Sequence, residues 1–188
     1  MFAHGSGLSR HSPRNRQVAR ALNERRLGTL LLDPLTVEEE LHRANVFDIG
    51  LLAERLIAAT RWAQAEPQLA GLPVGYFGAS TGAGAALSAA AELGDRVGAV
   101  VSRGGRPDLA AARLPGVRAP VLLIVGGHDE IVIELNRDAQ SQLRAPSELA
   151  IVPGATHLFE EPGALEEVSR LAGEWFQRRL ARAADGST

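Results

Sequence analysis

Apolar residues recur along this chain in two alternating rhythms. The first is the short, nearly continuous apolar run rich in branched residues: Leu27–Asp33, Leu72–Phe77, Val97–Ser102, Pro120–Val125 and Leu149–Val152. Such runs predict strands buried on both faces, as in a parallel sheet. The second is a longer stretch with apolar residues at helical spacing. Pro13–Arg26 and the Ala-rich Ala83–Leu93 are of this kind. So is a segment capped by Asp48 and running to about Ala65, with Ile49, Leu52, Leu56, Ala59 and Ala63 on one face. A helix is expected from near Glu130, and Gly163–Arg182 reads as a closing amphipathic helix. Strand and helix alternate without repeats, which predicts an α/β fold: a three-layer α/β/α sandwich around a mostly parallel sheet.

With 188 residues, 45% of them hydrophobic, the chain has the length and the material for one domain, expected over 1–182 with a frayed tail at 183–188. A net charge of −2 gives no global pull toward nucleic acid or an anionic membrane. Every basic residue is Arg, which with abundant Ala and Gly is associated with GC-rich bacterial genomes. The lack of Cys excludes disulfides and thiolate metal sites. No basic-then-apolar leader opens the chain and no apolar run approaches about 18 residues, so the cytoplasm is the expected location. The expected partner is a small molecule, the expected state a monomer or homodimer.

The chemistry begins where a predicted strand meets a predicted helix. Gly78-Ala79-Ser80-Thr81-Gly82 is a G-x-S-x-G between Phe77 and the Ala-rich helix. In that context the serine of a nucleophile elbow projects above the sheet on a strained turn, with glycines admitting neighbouring backbone. Ser80 is the candidate nucleophile; a turn of small residues without chemical use is the plain alternative. An elbow serine needs a base and an orienting carboxylate, in the chain order Ser, Asp or Glu, His. Asp129 follows the apolar run Pro120–Val125 and the glycines after it; His157 sits in the loop after Leu149–Val152. Both intervals leave room for a crossover helix, so the three side chains can reach one sheet edge, where ligands gather in open α/β sheets. Asp129 could instead cap the helix near Glu130, and His128 is a rival base, although it lies before that helix. His11 and His42 lie in polar stretches with no strand to place them.

A developing oxyanion needs two fixed donors. One is expected from the Thr81 N–H, the other from Ser6 or Gly7 in the loop His4-Gly5-Ser6-Gly7. Arg103 and Arg106, leaving the strand next to the elbow, could hold a substrate carboxylate, with Arg14 and Arg10 beside the oxyanion loop adding to the idea; surface ion pairs are the plain alternative. The connection 103–119 is too short for a cap domain, which suits small acyl groups better than long lipids. Within the polar stretch Thr36–Arg43, the charged run Glu38–Arg43 could form a short lid or a solvated loop.

These segments together resemble single-domain α/β-hydrolases of the dienelactone-hydrolase-related group. The likeness covers nearly the whole chain. It is carried by Phe2–Gly7 with Arg10–Asn15, by Gly78–Gly82, by Val101–Asp108, by Gly126–Asp129 and by Pro153–Phe159. It implies a hydrolase of small carboxylic esters, thioesters or lactones working through an acyl-enzyme on Ser80, Asp129 and His157, with no metal or organic cofactor called for. Dienelactone hydrolase itself uses a cysteine nucleophile, so its particular substrate does not transfer to Ser80. In that group the strand entering the oxyanion loop has others before it; here only Met1-Phe2-Ala3 precede the loop, so the natural protein is expected to begin upstream, its N-terminal strands being truncated or missing. A genuine short form held by a partner's strand is the alternative. Two other functions stay open: an acyltransferase or perhydrolase on the same residues, and a non-catalytic remnant, which a disordered Met1–Gly7 would favour.

Overall fold

The structure, a computed structural model, describes residues 1–6 and 9–185, with side chains through residue 180. Among these, a five-stranded sheet runs parallel throughout in the order β1 (Phe2–Ala3), β2 (Gly75–Ala79), β3 (Ala99–Arg103), β4 (Val121–Gly126), β5 (Ser147–Val152). The helices are α1 (Pro13–Glu24), α2 (Val37–Glu40), α3 (Arg43–Val46), α4 (Ile49–Ala65), α5 (Thr81–Leu93), α6 (Glu130–Gln142) and α7 (Ala164–Asp185). The strand–helix alternation read from the sequence thus gives the expected α/β-hydrolase architecture. No helix among the described residues is long and apolar enough to cross a membrane.

The period of two along each strand divides the core. Phe77, Ala99, Val101, Leu122 and Ile124 face α1 and α7 and pack with Val18, Leu22, Val168 and Trp175. Tyr76, Val100, Val121 and Leu123 face the other way, onto Leu56, Ala86, Leu87 and Ala139 of α4, α5 and α6. Both of their faces being covered, β3 and β4 carry no polar side chain until Ser102 and Arg103 at the carboxyl end of β3. On the α4 side, the Thr60 hydroxyl lies 2.6 Å from that of Tyr76, joining the two side chains in the core.

The Leu27–Asp33 run differs from its expected strand. It forms an isolated parallel bridge, Leu31 to Phe2, with the Phe2 N–H donating to Leu30 O at 2.9 Å. A ladder extends no further than its shorter strand, and β1 has two residues. The polar stretch after it folds into α2 and α3, the first with a reciprocal capping box between Thr36 and Glu39. Asp48 caps α4 as expected, its carboxylate accepting from the Leu51 N–H at 3.0 Å. Of the tail expected at 183–188, residues 186–188 lie outside the described residues, while α7 runs on to Asp185.

Candidate active site

Ser80 stands between β2 and α5 with φ 51° and ψ −122°, a sparsely populated conformation for a residue with a side chain. Three backbone bonds hold it there. Its N–H donates to Arg103 O at 3.2 Å, and its carbonyl accepts from Ala83 N–H at 3.0 Å and Arg106 N–H at 3.1 Å. The two glycines of the motif have separate steric reasons. A Cβ on Gly78 would sit 2.5 Å from the Ala83 Cα, and one on Gly82 would sit 2.1 Å from the Ala3 carbonyl oxygen. The elbow therefore crosses both its own helix and the end of β1 at distances only glycine allows.

Asp129 occupies the N-cap position of α6 but makes no cap bond there. Its Oδ2 takes the Nδ1 side of His157 at 2.6 Å. An Nδ1–H pointed at a carboxylate leaves Nε2 as the basic nitrogen, which is what a general base requires. His128 is exposed, and its backbone N–H serves the turn by donating to Ala155 O at 2.9 Å; the carboxylate goes to His157. The loop carrying His157 is anchored by Phe159, buried at φ 55°, and by Glu161, whose carboxylate accepts the Thr156 N–H at 3.1 Å and is held below the usual carboxylate range by the Thr156 side chain first and by the backbone N–H groups of Glu161 and Thr156. A Cβ on Gly104 would lie 3.6 Å from the His157 Cε1. Because Arg103, the residue before it, receives the Ser80 N–H, the serine and the imidazole flank the same two residues at the end of β3. No hydrogen bond joins Ser80 to His157 among the described residues; such bonds commonly tighten only around a substrate.

The residues expected to donate to an oxyanion lie at the N-terminus of α5 and in the loop after β1. Thr81 begins α5, and its N–H takes no backbone acceptor among the described residues. Ser6, expected as the second donor, gives its N–H to Thr81 Oγ1 at 3.0 Å in this structure. A substrate oxygen would have to replace that hydroxyl. Gly7, the other candidate, lies outside the described residues. The loop abuts the elbow, since a Cβ on Gly5 would lie 3.0 Å from the Ser80 Cβ. Next to it opens a cavity of about 360 Å³ lined by Gly5, Ser6, Thr81, Leu35, Val46 and Leu52. Glu40 of α2 and Val46 of α3 line it too, so the stretch expected as a lid or a solvated loop folds into short helices at the cavity's edge.

The arginines separate sharply. Arg106 makes a bidentate pair with Asp108, at 2.9 and 2.7 Å, and Arg14 pairs with Glu160 at 2.6 Å. Both have protein partners, as the plain ion-pair alternative holds. Arg103 differs: it is 4% exposed, and among the described residues its buried Nε and Nη1 have no hydrogen-bond partner. Its guanidinium lies 5.9 Å from the Phe159 ring. Burial, with the charge of Arg14 nearby, pushes its pKa down to about 10, so it stays cationic at neutral pH.

Sequence reasoning missed the pair of His4 and Asp33. His4 is buried, with Nδ1 2.9 Å from Gly5 O and Nε2 3.3 Å from Asp33 Oδ1, an ion-pair distance too oblique for a hydrogen bond. The signal was an Asp closing an apolar run on the same sheet edge as the glycine loop. No group of three or more His, Asp or Glu able to hold a metal ion occurs among the described residues.

Known proteins resemble this chain to different degrees. Over 176 residues the chain is 63% identical to Mycobacterium tuberculosis proteins provisionally named phosphoribosyl transferase, covering 94% of this chain but 40% of theirs. It thus spans about two fifths of the length of those curated relatives. A dienelactone hydrolase structure from Anabaena variabilis superposes with a TM-score of 0.92 at 60% identity, over 95% of this chain and 85% of that one. Est1E from Butyrivibrio proteoclasticus, at 17% identity and a TM-score of 0.80 over 96% and 87% of the two chains, shares the fold. Residues 39–180 match the model of the dienelactone hydrolase family. With the fold, the family match and a 60% identical dienelactone hydrolase in agreement, the chain belongs to the dienelactone hydrolase family of α/β hydrolases.

Proposed function

We propose that this hydrolase acts on small carboxylic esters, thioesters or lactones with Ser80 as nucleophile. The observation that carries the reading is the Asp129–His157 pair at 2.6 Å on the sheet edge where Ser80 stands strained at the start of α5. Ser80 Oγ attacks the carbonyl carbon while His157 Nε2 takes its proton. The carbonyl electrons move onto oxygen, which the Thr81 N–H and a loop N–H from Ser6 or Gly7 receive. Collapse expels the alcohol, thiol or ring oxygen, which regains the proton from His157. Water then repeats the sequence on the acyl-enzyme, releasing the acid and restoring Ser80. Asp129 holds the imidazole in its useful tautomer and stabilises its charged form.

The loop bond from Ser6 to the elbow residue Thr81 favours a working site over a non-catalytic remnant. The residues between β3 and β4 form a 3-10 stretch, Pro107–Gly116, packed on α5 and α6, which supports one domain without a cap. Within this class, the buried Arg103, whose Nε and Nη1 have no partner among the described residues, favours esters that carry a carboxylate. The provisional name of the mycobacterial relatives belongs to longer chains; the Ser80 site lies within the part shared with them, and its groups suit acyl chemistry.

The test is intact-mass analysis after exposure to a fluorophosphonate. One adduct, absent from Ser80→Ala, is expected. An unlabelled wild-type chain, or a Ser80→Ala variant still labelled, would refute the assignment.

A further inference from the structure

The loop that carries the second oxyanion donor leaves β1 at His4 and returns to α1 at Ser12, with Gly5 and Gly7 inside it. A donor of this kind has to be preorganised for the developing charge. Something outside the loop has to fix it. The sheet register supplies the means. Phe2 lies opposite Leu31 in a parallel bridge, and two residues on along each segment come His4 and Asp33. The Asp33 carboxylate then touches both ends of the loop. Oδ1 lies 3.3 Å from Nε2 of the buried His4, whose other ring nitrogen holds Gly5 O. Oδ1 also accepts the backbone N–H of Arg10, and Oδ2 accepts its guanidinium at 2.6 Å. Between these two anchors lie Gly5, packed on Ser80, and Ser6, whose N–H reaches Thr81.

We infer that Asp33 is a positioning residue for the oxyanion loop. Through His4 and Arg10 it sets the place of the loop N–H relative to Ser80, and so governs turnover without touching substrate. The inference rests on the reading of Ser80 as nucleophile. It requires that Asp33 act on kcat and not on ground-state binding, because the donor it places is used when the carbonyl oxygen becomes charged.

The experiment compares wild type, Asp33→Asn and Arg10→Ala with p-nitrophenyl acetate, using the fluorophosphonate adduct to count active sites. Asp33→Asn is expected to lower kcat per titrated site, and the rate of fluorophosphonate labelling, by about tenfold or more, since loss of a single oxyanion donor costs ~10²–10³. KM stays within about twofold and final labelling reaches the wild-type stoichiometry. Arg10→Ala, at an exposed side chain, gives a smaller fall of the same kind and keeps the idea open to refutation where Asp33→Asn does not fold. A kcat per titrated site and a labelling rate equal to wild type would overturn the inference. So would a loss explained wholly by fewer titratable sites, which is what a merely structural residue gives. Wild type that labels at Ser80 alongside an unaffected Asp33→Asn defeats this inference alone; wild type that does not label defeats the hydrolase reading and this inference with it.

Discussion

Gly82→Ala isolates the contact between the elbow and β1. The added methyl would lie 2.1 Å from Ala3 O, 2.5 Å from His4 O and 2.6 Å from the Ala3 carbonyl carbon. Real Cβ contacts do not fall below 3.0 Å, so one side must yield by roughly 1 Å. All three atoms are backbone, and neither a rotamer change nor a flexible side-chain tip can relieve them. Either α5 retreats, moving Ser80 and the Thr81 N–H, or the end of β1 retreats, moving His4 and the loop behind it. Overpacking of this kind costs about 1–3 kcal/mol. In a chain of this size that lowers the thermal midpoint by roughly 2–10 °C. The catalytic effect is larger in proportion, since a misplacement of about 1 Å in a catalytic constellation costs on the order of 10²-fold. The assay is kcat/KM for p-nitrophenyl acetate beside a thermal scan, with Gly28→Ala as control because a Cβ there meets nothing within 4 Å. The expected result is a loss of about 100-fold for Gly82→Ala and wild-type behaviour for Gly28→Ala. A Gly82→Ala variant with wild-type kcat/KM would refute the claim that this crossing sets the site's geometry.

Asp129→Asn keeps the shape of the His157 contact but offers an amide that favours the wrong imidazole tautomer; kcat is expected to fall by about 10⁴, and a fall below tenfold would remove Asp129 from the mechanism. Arg103→Met is expected to raise KM for a carboxylate-bearing aryl ester by about tenfold or more, the worth of a charge-assisted bond, leaving the acetate ester unchanged. The thermal midpoint should not fall, since the substitution removes a buried cation without a hydrogen-bond partner for its Nε and Nη1. Equal KM changes for both esters would dismiss the carboxylate reading. In a chain that starts at Met1, the α-ammonium donates to Gly75 O at 2.7 Å and has its pKa pushed from 8.0 down to about 5 by desolvation. The unfolded chain then binds the extra proton between those values, so stability rises as pH goes from about 5 to 8. At ~1.4 kcal/mol per pH unit the rise is at most about 4 kcal/mol. Urea unfolding at the two pH values should show this rise in the free-amine chain and not after Nα-acetylation; equal slopes would contradict the assignment.

The sequence by itself determined the layers, the elbow and the order of the candidate site residues. These depend on local regularities: apolar runs for buried parallel strands, helical spacing for the covering helices, and a G-x-S-x-G at a strand-to-helix junction. Asp129 and His157 were legible because each ends an apolar strand, and strands of a parallel sheet deliver their carboxyl ends to one edge. What tertiary structure alone decided was which groups are satisfied. Nothing local says that Asp129 leaves its helix cap for His157 at 2.6 Å, or that Arg106 and Arg14 are taken by Asp108 and Glu160 while the buried Arg103 Nε and Nη1 find no partner among the described residues. The same holds for Leu27–Asp33, which has the composition of a strand but pairs only at Leu31, because the extent of a ladder is fixed by its neighbour, β1. That one bridge brings Asp33 beside His4. Hydrogen-bond satisfaction and sheet register arise from chain segments far apart in sequence, so no window along the chain contains them.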